Sequence, residues 1–312
     1  MTQPLKLVFC GTPAFAVPAL EKLLEAGFTV SLVVTQPDRP RGRGMEFAAS
    51  PVKDRALRFG LPITQPQRIK DNDDFRNRLT AIQPDAIIVV GYGRIIPQWM
   101  IDLPRFGNIN LHASLLPKYR GAAPIQWAIA RGETLTGVTT MRINAGLDTG
   151  EILLQKQVPI APEDTTDTLA PRLAAIGAGL TVETLHGLSA GSISPRPQDE
   201  SQASLAPTLK KEDGRIDFRR EAHEIWNRMR GFQPWPGAFT RFRGKNLNVW
   251  QAKPVESRSG PGEVFIDNNR LIVGCGRNSA LELMVVQPEG KRRMAVRDFI
   301  QGYKPRTGEL FG

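Results

Sequence analysis

The sequence holds few of the residues that build disulfide frameworks and metal clusters. It has 2 cysteines and 3 histidines among 312 residues. Cys10 and Cys275 lie far apart in the chain, each among apolar residues and glycine. We therefore expect two buried, reduced thiols, and neither a disulfide nor a metal site.

Long hydrophobic runs are also missing. No apolar run approaches the roughly 20 residues that cross a bilayer. The stretch MTQPLKLVFCGTP at the start is too short for a signal peptide, and no small-residue cleavage pattern follows it. The content of 41% hydrophobic and 23% charged residues is ordinary for a globular protein. We expect a cytoplasmic protein with no membrane partner.

Two familiar motifs are absent or incomplete. Gly11 follows an apolar run, but the G-x-G-x-x-G pattern of dinucleotide-binding folds is missing, and Pro13 and Phe15 stand where small residues are needed. A nicotinamide cofactor is therefore not expected. The Asp-Thr-Gly triplet at 148–150 resembles the active-site motif of aspartic proteases, but those enzymes need two such carboxylates in an all-β fold. A single copy within an α/β pattern does not favour an aspartic protease.

Strands and helices alternate over the first half of the chain, and several strands are apolar on both faces. This pattern predicts an α/β fold with a Rossmann-like, mostly parallel sheet, whose ligands bind beyond the carboxyl ends of the strands. The predicted strands are 5–11, 29–37, 84–93, 107–113, 136–144 and 150–160, and the predicted helices are 14–26, 75–83, 124–132 and 167–188.

The last third has a different organisation. Residues 189–208 are small, polar and proline-containing, which is typical of a linker. A helix is predicted over 216–231, and the short β-like runs beyond it predict a small OB-like β-barrel. The predicted domains are therefore 1–189, a linker at 190–208, and a basic C-terminal β-barrel domain at 209–312.

Positive charge is concentrated in that last third. Residues 201–312 contain 20 Lys and Arg against 12 Asp and Glu, so +8 of the net charge of +10 lies there. A polyanionic partner such as RNA is one interpretation, and a solvated basic surface is the other.

A short motif carries candidate chemistry. In NINLHASLLPKYRGAAP, Asn110 and His112 share one face of a predicted strand. An amide can donate to a developing oxyanion, and a histidine can carry a proton. Asp148 lies in a Gly-Leu-Asp-Thr-Gly turn and, if close, would stabilise a protonated His112. The alternatives are a structural histidine and an aspartate that caps its own turn.

The segment 38–44, DRPRGRG, is a second candidate site. It is a Pro/Gly loop with Arg39, Arg41 and Arg43, whose guanidinium groups suit phosphates. The alternative is a disordered, solvated loop.

Two long motifs in this order, the run from Asn110 through HASLLPKYRGAAPIQ and the later GLDTGEIL, resemble the formyltransferases that use 10-formyltetrahydrofolate. The resemblance implies that Asn110, His112 and Asp148 are catalytic, that no metal is needed, and that the folate donor is held by a loop after the third predicted parallel strand and by the segment after His112. The implied folate-binding residues are Val90, Gly91, Tyr92, Gly93, Arg94, Ile95, Ser114, Leu115, Leu116 and Pro117.

Further stretches resemble the members of this family that formylate methionyl-initiator tRNA. They are FCGTPAFAVPAL, TQPDRPRGRGMEFAASPVK, GYGRIIP, RGAAPIQ and GFQPWPGAFT. In those members the loop matching 38–53 enters the acceptor arm of the tRNA, and Arg43 matches its key arginine. The candidate tRNA-binding residues are Arg39, Arg41 and Arg43 in this loop and, from the positive charge of the C-terminal domain, Lys210, Lys211, Arg241, Arg243 and Lys245. We expect a monomer. Formyl transfer to another amine, an amino sugar or glycinamide ribonucleotide, and tRNA binding without catalysis are the alternatives.

Overall fold

The chain forms two compact units. The computed structural model describes residues 5–41, 46–256 and 259–312, with only the backbone of residues 41 and 46. The first unit comprises Met1–Gly121, Leu135–Pro159 and Ala170–Ala206, and the second comprises Ala122–Thr134, Ile160–Leu169 and Pro207–Gly312. The stretch predicted as a linker thus belongs to the first unit as far as Ala206.

The first unit is built on a seven-stranded sheet. Its middle strands are buried along almost their whole length, because helices cover both faces of a parallel sheet. The strands of this unit are β1 (Lys6–Gly11), β2 (Thr29–Val34), β3 (Arg39–Arg41), β4 (Glu46–Ala48), β5 (Ile63–Thr64), β6 (Ala86–Val90), β7 (Asn108–His112), β8 (Leu135–Arg142) and β9 (Ile152–Pro159).

The order of the sheet is β5-β2-β1-β6-β7-β8-β9. The pairs from β5 to β7 are parallel, and β7, β8 and β9 pair antiparallel. The chain moves outward from β1 in one direction and later from β6 in the other, so the strand order reverses between β1 and β6. Sheets of this kind bind ligands beyond the carboxyl ends of the strands at such a point. β3 and β4 form a separate antiparallel pair.

Helices connect these strands. Two of them begin at a capped residue: Ser50 Oγ accepts from the Lys53 N–H at 3.1 Å, and Asn72 Oδ1 accepts from the Phe75 N–H at 3.0 Å. The α-helices of the described residues are α1 (Val17–Glu25), α2 (Pro51–Arg58), α3 (Asp73–Ile82), α4 (Gln98–Ile101), α5 (Pro124–Ala130), α6 (Thr166–Ser189), α7 (Ala222–Gly231) and α8 (Val296–Tyr303). None of them is both long enough and apolar enough to span a membrane.

The second unit contains an antiparallel sheet. Its strands are β10 (Phe239–Phe242), β11 (Lys245–Glu256), β12 (Val264–Asp267), β13 (Arg270–Gly274), β14 (Ser279–Pro288) and β15 (Met294–Ala295). They pair in the order β10-β11-β14-β13-β12, with β15 on β14. Helices α7 and α8 contribute Ile225, Met229 and Phe299 to the core beneath this sheet.

The predicted fold class is confirmed: a mostly parallel α/β sheet, followed by a C-terminal fold of antiparallel strands. Within the described ranges no ladder joins β10 to β12 to close the barrel. The helix predicted over 216–231 is wrong in its first part, since α7 begins at Ala222. The residues before α7 form a turn instead, in which the Asp217 carboxylate accepts from the N–H and the guanidinium of Arg219.

Both cysteines are buried, as predicted. Burial raises the pKa of the Cys275 thiol to about 12 and that of Cys10 further, so neither is a thiolate at neutral pH. Among the described residues no group of three or more His, Cys, Asp and Glu side chains could hold a metal ion.

Candidate active site

Strand β7 places Asn110 and His112 on the same face of the sheet. Leu111, between them, points to the other face, where it packs against Gly177 of α6 so closely that a Cβ there would lie 2.8 Å from a Leu111 methyl carbon. Asn110 pairs with Val89 on one side and Met141 on the other, so its side chain lies level with the carboxyl end of β6. The amide of Asn110 is half-buried and makes no hydrogen bond within the described part of the chain, so it is available to a ligand.

The imidazole of His112 lies between two acceptors. The side chain is 6% exposed, Nε2 lies 2.8 Å from the Tyr119 carbonyl oxygen, and Nδ1 lies 3.7 Å from Asp148 Oδ2. The second distance is that of an ion pair and is too long for a hydrogen bond. Each ring nitrogen thus faces an oxygen atom, and the contact with the Tyr119 carbonyl is the one at hydrogen-bond distance.

The turn that carries Asp148 depends on its glycines. A Cβ at Gly150 would lie 1.7 Å from the Arg142 carbonyl oxygen, and one at Gly146 would lie 2.1 Å from Thr149 Oγ1. Asp148 itself has a left-handed φ of 52°. This tight turn directs the carboxylate towards the loop after β7, where Oδ2 accepts from the Gly121 N–H at 2.8 Å.

The loop after β7, residues 114–121, is held by internal hydrogen bonds. Ser114 is fully buried and donates from Oγ to the Lys118 carbonyl at 2.6 Å, while Thr139 donates to the Ser114 carbonyl at 2.6 Å. Leu116 packs with Met141 and Ile152. These side chains therefore shape the loop from inside, and Leu115 packs against Gly137 of β8 in the same way. Pro117 is half-buried and follows a cis peptide bond.

The loop after β6 offers backbone groups at the end of the sheet. Gly91 and Gly93 are exposed with φ of 55° and 77°, and Ile95 is 90% exposed. A Cβ at Gly91 would lie 2.8 Å from the Pro13 ring, so the loop passes close to the turn after β1.

Gln36 fixes this loop by donating from Nε2 to the carbonyls of Tyr92 and Gly93, at 3.0 and 3.2 Å. Val90 and Tyr92 point inward. Burial raises the pKa of the Tyr92 phenol, which belongs to the core of the sheet. Arg94 is half-buried, and its Nε has no hydrogen-bond partner among the described residues.

The candidate tRNA-binding residues have very different surroundings. Arg43 and the side chain of Arg41 lie outside the described residues, and Arg39 donates to Gln36 Oε1 at 3.3 Å. Arg243 is committed to the protein, since it donates to Glu309 at 2.7 Å and to the Tyr303 and Lys304 carbonyls. The remaining candidates, Lys210, Lys211, Arg241 and Lys245, are exposed, and no hydrogen bond or ion pair of their side chains is found in the described structure.

Two residues of the site had no signal in the sequence pattern. Gln198 donates from Nε2 to the carbonyls of Asp148 and Gly150, at 2.8 Å each, and Arg120 donates to Gln198 Oε1. Gln198 lies in a stretch with the composition of a linker, and Arg120 lies in a basic loop, so the sequence did not single out either residue. Neither composition distinguishes a buried hydrogen-bonding residue from a solvated one.

The chain matches two family models over most of its length. Residues 5–185 match the model described as formyl transferase, and residues 208–304 match the model described as formyl transferase, C-terminal domain.

Curated relatives agree over almost the whole chain. A methionyl-tRNA formyltransferase of Koribacter versatilis (strain Ellin345) is 65% identical over 98% of both chains. One of Acidobacterium capsulatum is 61% identical over 96% of both chains. In fold, the chain is similar to an N-formyltransferase of Helicobacter canadensis, crystallised with folinic acid and dTDP-3-aminofucose. The TM-score is 0.65 at 18% identity, covering 91% of this chain and 99% of the other. The chain therefore belongs to the formyl transferase family.

Proposed function

We propose that the chain transfers the formyl group of 10-formyltetrahydrofolate to the free α-amino group of methionyl-initiator tRNA, giving N-formylmethionyl-tRNA for translation initiation. The observation that carries this proposal is the placement of the His112 ring between the Tyr119 carbonyl and Asp148, on the same strand face as Asn110, whose amide makes no hydrogen bond within the described residues. The near full-length identity to methionyl-tRNA formyltransferases supports the choice of acceptor.

In the proposed reaction the amine nitrogen forms a bond to the formyl carbon, and the bond from that carbon to N10 of the folate then breaks. Negative charge collects on the formyl oxygen in between. In this proposal the Asn110 amide and the protonated His112 ring stabilise that charge, because preorganised donors act most strongly in a site that excludes water. Asp148 keeps His112 protonated and accepts the proton that the amine loses, which ends on N10. No covalent intermediate with the protein forms.

The folate donor is a co-substrate, and in this proposal it binds against the loop after β6. Gly91 and Gly93 expose peptide groups that suit a pteridine ring, and Ile95 presents an apolar surface beside them. The contribution of residues 114–117 is indirect in this proposal, because Ser114 and Leu116 are turned inward and set the shape of the loop that carries Tyr119.

For tRNA, the proposal assigns phosphate contacts to Arg39, Arg41 and Arg43 and to Lys210, Lys211, Arg241 and Lys245. Arg243, the remaining candidate, also has a structural role, because its guanidinium donates to the Glu309 carboxylate. The positive charge of residues 201–312 supports this assignment, since phosphate contacts supply most of the affinity for a nucleic acid. We also propose a cytoplasmic location, because charged tRNA is used there. We propose a monomer, because one chain supplies all the residues invoked.

A formylation assay tests the proposal. The wild-type chain is incubated with 10-formyltetrahydrofolate and either methionyl-initiator tRNA, uncharged tRNA, a nucleotide-linked amino sugar or glycinamide ribonucleotide. We expect a formylated product from methionyl-initiator tRNA alone. Formylation of a small amine instead would replace the acceptor, and salt-sensitive tRNA binding without any product would leave only a binding protein.

A further inference from the structure

The segment 196–206 contacts both of the loops that build the candidate site. At one end, Arg196 and Ile152 exchange two backbone hydrogen bonds, at 2.8 and 2.9 Å, just after the Asp148 turn. At the other end, the Arg120 N–H donates to the Ser204 carbonyl at 2.8 Å, and the Ala206 N–H donates to the Arg120 carbonyl at 2.7 Å. The segment therefore joins the Asp148 turn to the loop that carries Tyr119 and Gly121.

Gln198 lies in the middle of this segment and bridges the two loops by its side chain. Its Nε2 group donates to the carbonyls of Asp148 and Gly150, and its Oε1 accepts from Arg120 Nε and Nη2, at 3.1 and 2.8 Å. Only this orientation of the amide satisfies all four contacts, because carbonyl oxygens need donors and a guanidinium needs an acceptor. A carboxylate in the same place could satisfy Arg120 but not the two carbonyls.

Arg120 is the fixed end of this bridge. The residue is 5% exposed, and its guanidinium donates to both carboxylate oxygens of Glu200, at 2.8 Å each. The paired carboxylate raises the pKa of Arg120 above its usual value, and the guanidinium lowers that of Glu200. The next residue, Gly121, is the one whose N–H holds Asp148 Oδ2. A Cβ at Gly121 would lie 2.7 Å from the Ala206 carbonyl oxygen, so the backbone of the segment also packs closely against Gly121.

The carboxylate of Asp148 is thus placed by groups other than its catalytic partner. The 3.7 Å separation from His112 includes no hydrogen bond that would maintain it. We propose that Gln198 is a positioning residue, which sets the distance from Asp148 to His112 by holding the backbone of the Asp148 turn. This inference rests on the proposed function, for which it names a residue that neither touches substrate nor belongs to the catalytic trio.

Two variants of Gln198 separate positioning from mere anchoring of Arg120. Gln198→Ala removes both sets of contacts, whereas Gln198→Glu keeps an acceptor for Arg120 and removes the two donors. We expect both to lower kcat for formyl transfer about 10- to 100-fold, since small misplacements of catalytic groups have effects of this size. The KM for the folate donor and the Kd for tRNA stay within about twofold, and the pH profile of kcat changes shape.

Gln202→Ala is the matched control. Gln202 lies in the same segment, is exposed, and donates only to the nearby Asp199, at 2.8 Å. The Gln202→Ala substitution should leave kcat, the pH profile of kcat and the melting temperature unchanged. Full activity of Gln198→Glu with an unchanged pH profile would overturn the proposal, because it would mean that Gln198 serves only as a partner for Arg120.

A measurement without turnover keeps this inference distinct from the proposed function. We expect the Gly121 amide hydrogen to exchange with solvent at least tenfold faster in Gln198→Ala than in the wild type or in Gln202→Ala, because its acceptor is Asp148. If the wild type formylates no tRNA, the proposed function fails, and the catalytic role given to Gln198 fails with it. If the wild type is active and the variant matches it in kcat and in exchange, only the inference about Gln198 fails.

Discussion

Asp148 Oδ2 lies 3.7 Å from His112 Nδ1 and 2.8 Å from the Gly121 backbone nitrogen, so a peptide N–H rather than the imidazole holds this carboxylate. The pair therefore combines a fixed negative charge with a ring that faces an acceptor at each nitrogen. That arrangement places a carboxylate beside the imidazole without a short hydrogen bond between them.

Replacing Asp148 by asparagine should disable the chemistry while leaving the fold intact. The amide is nearly isosteric and can still accept from Gly121, but it brings no charge to His112. We expect kcat to fall about 10²- to 10⁴-fold, the range for loss of a group in acid–base catalysis, with the Kd for tRNA unchanged. Steady-state kinetics and filter binding measure the two. Asp74→Asn, on the exposed face of α3, is the control, and near-normal turnover of Asp148→Asn would contradict the assigned roles.

Gly150→Ala should distort the turn that carries Asp148. Its Cβ would lie 1.7 Å from the Arg142 carbonyl oxygen, so the turn must open. We expect the free energy of unfolding to fall by about 1–3 kcal/mol, as for overpacked sites, together with at least a tenfold loss of kcat.

Gly179→Ala provides the contrast for that experiment. Gly179 lies in α6, and nothing is within 4 Å of an added Cβ. Because alanine is the better helix former, this variant should gain about 0.5–1 kcal/mol in urea unfolding without a change in activity. Equal behaviour of the two variants would contradict the close approach at Gly150.

Arg241 and Arg243 should behave differently despite being two residues apart. Arg241 is exposed on β10, so Arg241→Ala should reduce the slope of log Kd against log salt for tRNA by about one phosphate contact. Arg243 donates to Glu309 and two carbonyls. Arg243→Ala should therefore lower the melting temperature and change the slope less. Binding titrations between 50 and 200 mM salt measure the slope, and identical slopes for both variants would contradict this division.

The stability supplied by Glu282 should depend on pH. Arg270 donates to its carboxylate and Lys253 lies nearby, so the pKa of Glu282 is held below its ordinary value of 4.5. A lowered pKa in the folded state means that the contribution is full above pH 4.5 and is lost as pH falls through the folded value. Glu282→Gln should be about 1 kcal/mol less stable than the wild type at pH 7, and the difference should vanish in acid.

Denaturant unfolding at a series of pH values measures this difference. Glu256→Gln, at the exposed end of β11, serves as the comparison and should show no pH-dependent difference. A gap between Glu282→Gln and the wild type that stays constant from pH 7 to pH 3 would contradict the role of the ion pair.

Local patterns predicted the elements whose form depends on near neighbours. The alternation of apolar strands and amphipathic helices predicted the sheet, and the Asn-x-His spacing placed both side chains on one face of β7. The glycines around Asp148 predicted a tight turn, because only glycine permits the approach to Arg142. α7 shows the limit of such patterns, since the helical spacing extends back to Ile216, whereas the turn at Asp217 delays the start of the helix to Ala222.

By itself, then, the sequence determined the fold class and the excess of positive charge, because both depend on the periodicity and composition of residues that are close in the chain. Its motifs also gave Asn110, His112 and Asp148 as the candidate catalytic residues. Only the tertiary structure decided which polar side chains are committed to the protein. Gln198 reaches Asp148 across the fold, and Arg243 reaches Glu309 in the same way. A hydrogen bond between distant segments depends on where the backbone brings its two partners, and composition carries no record of that distance.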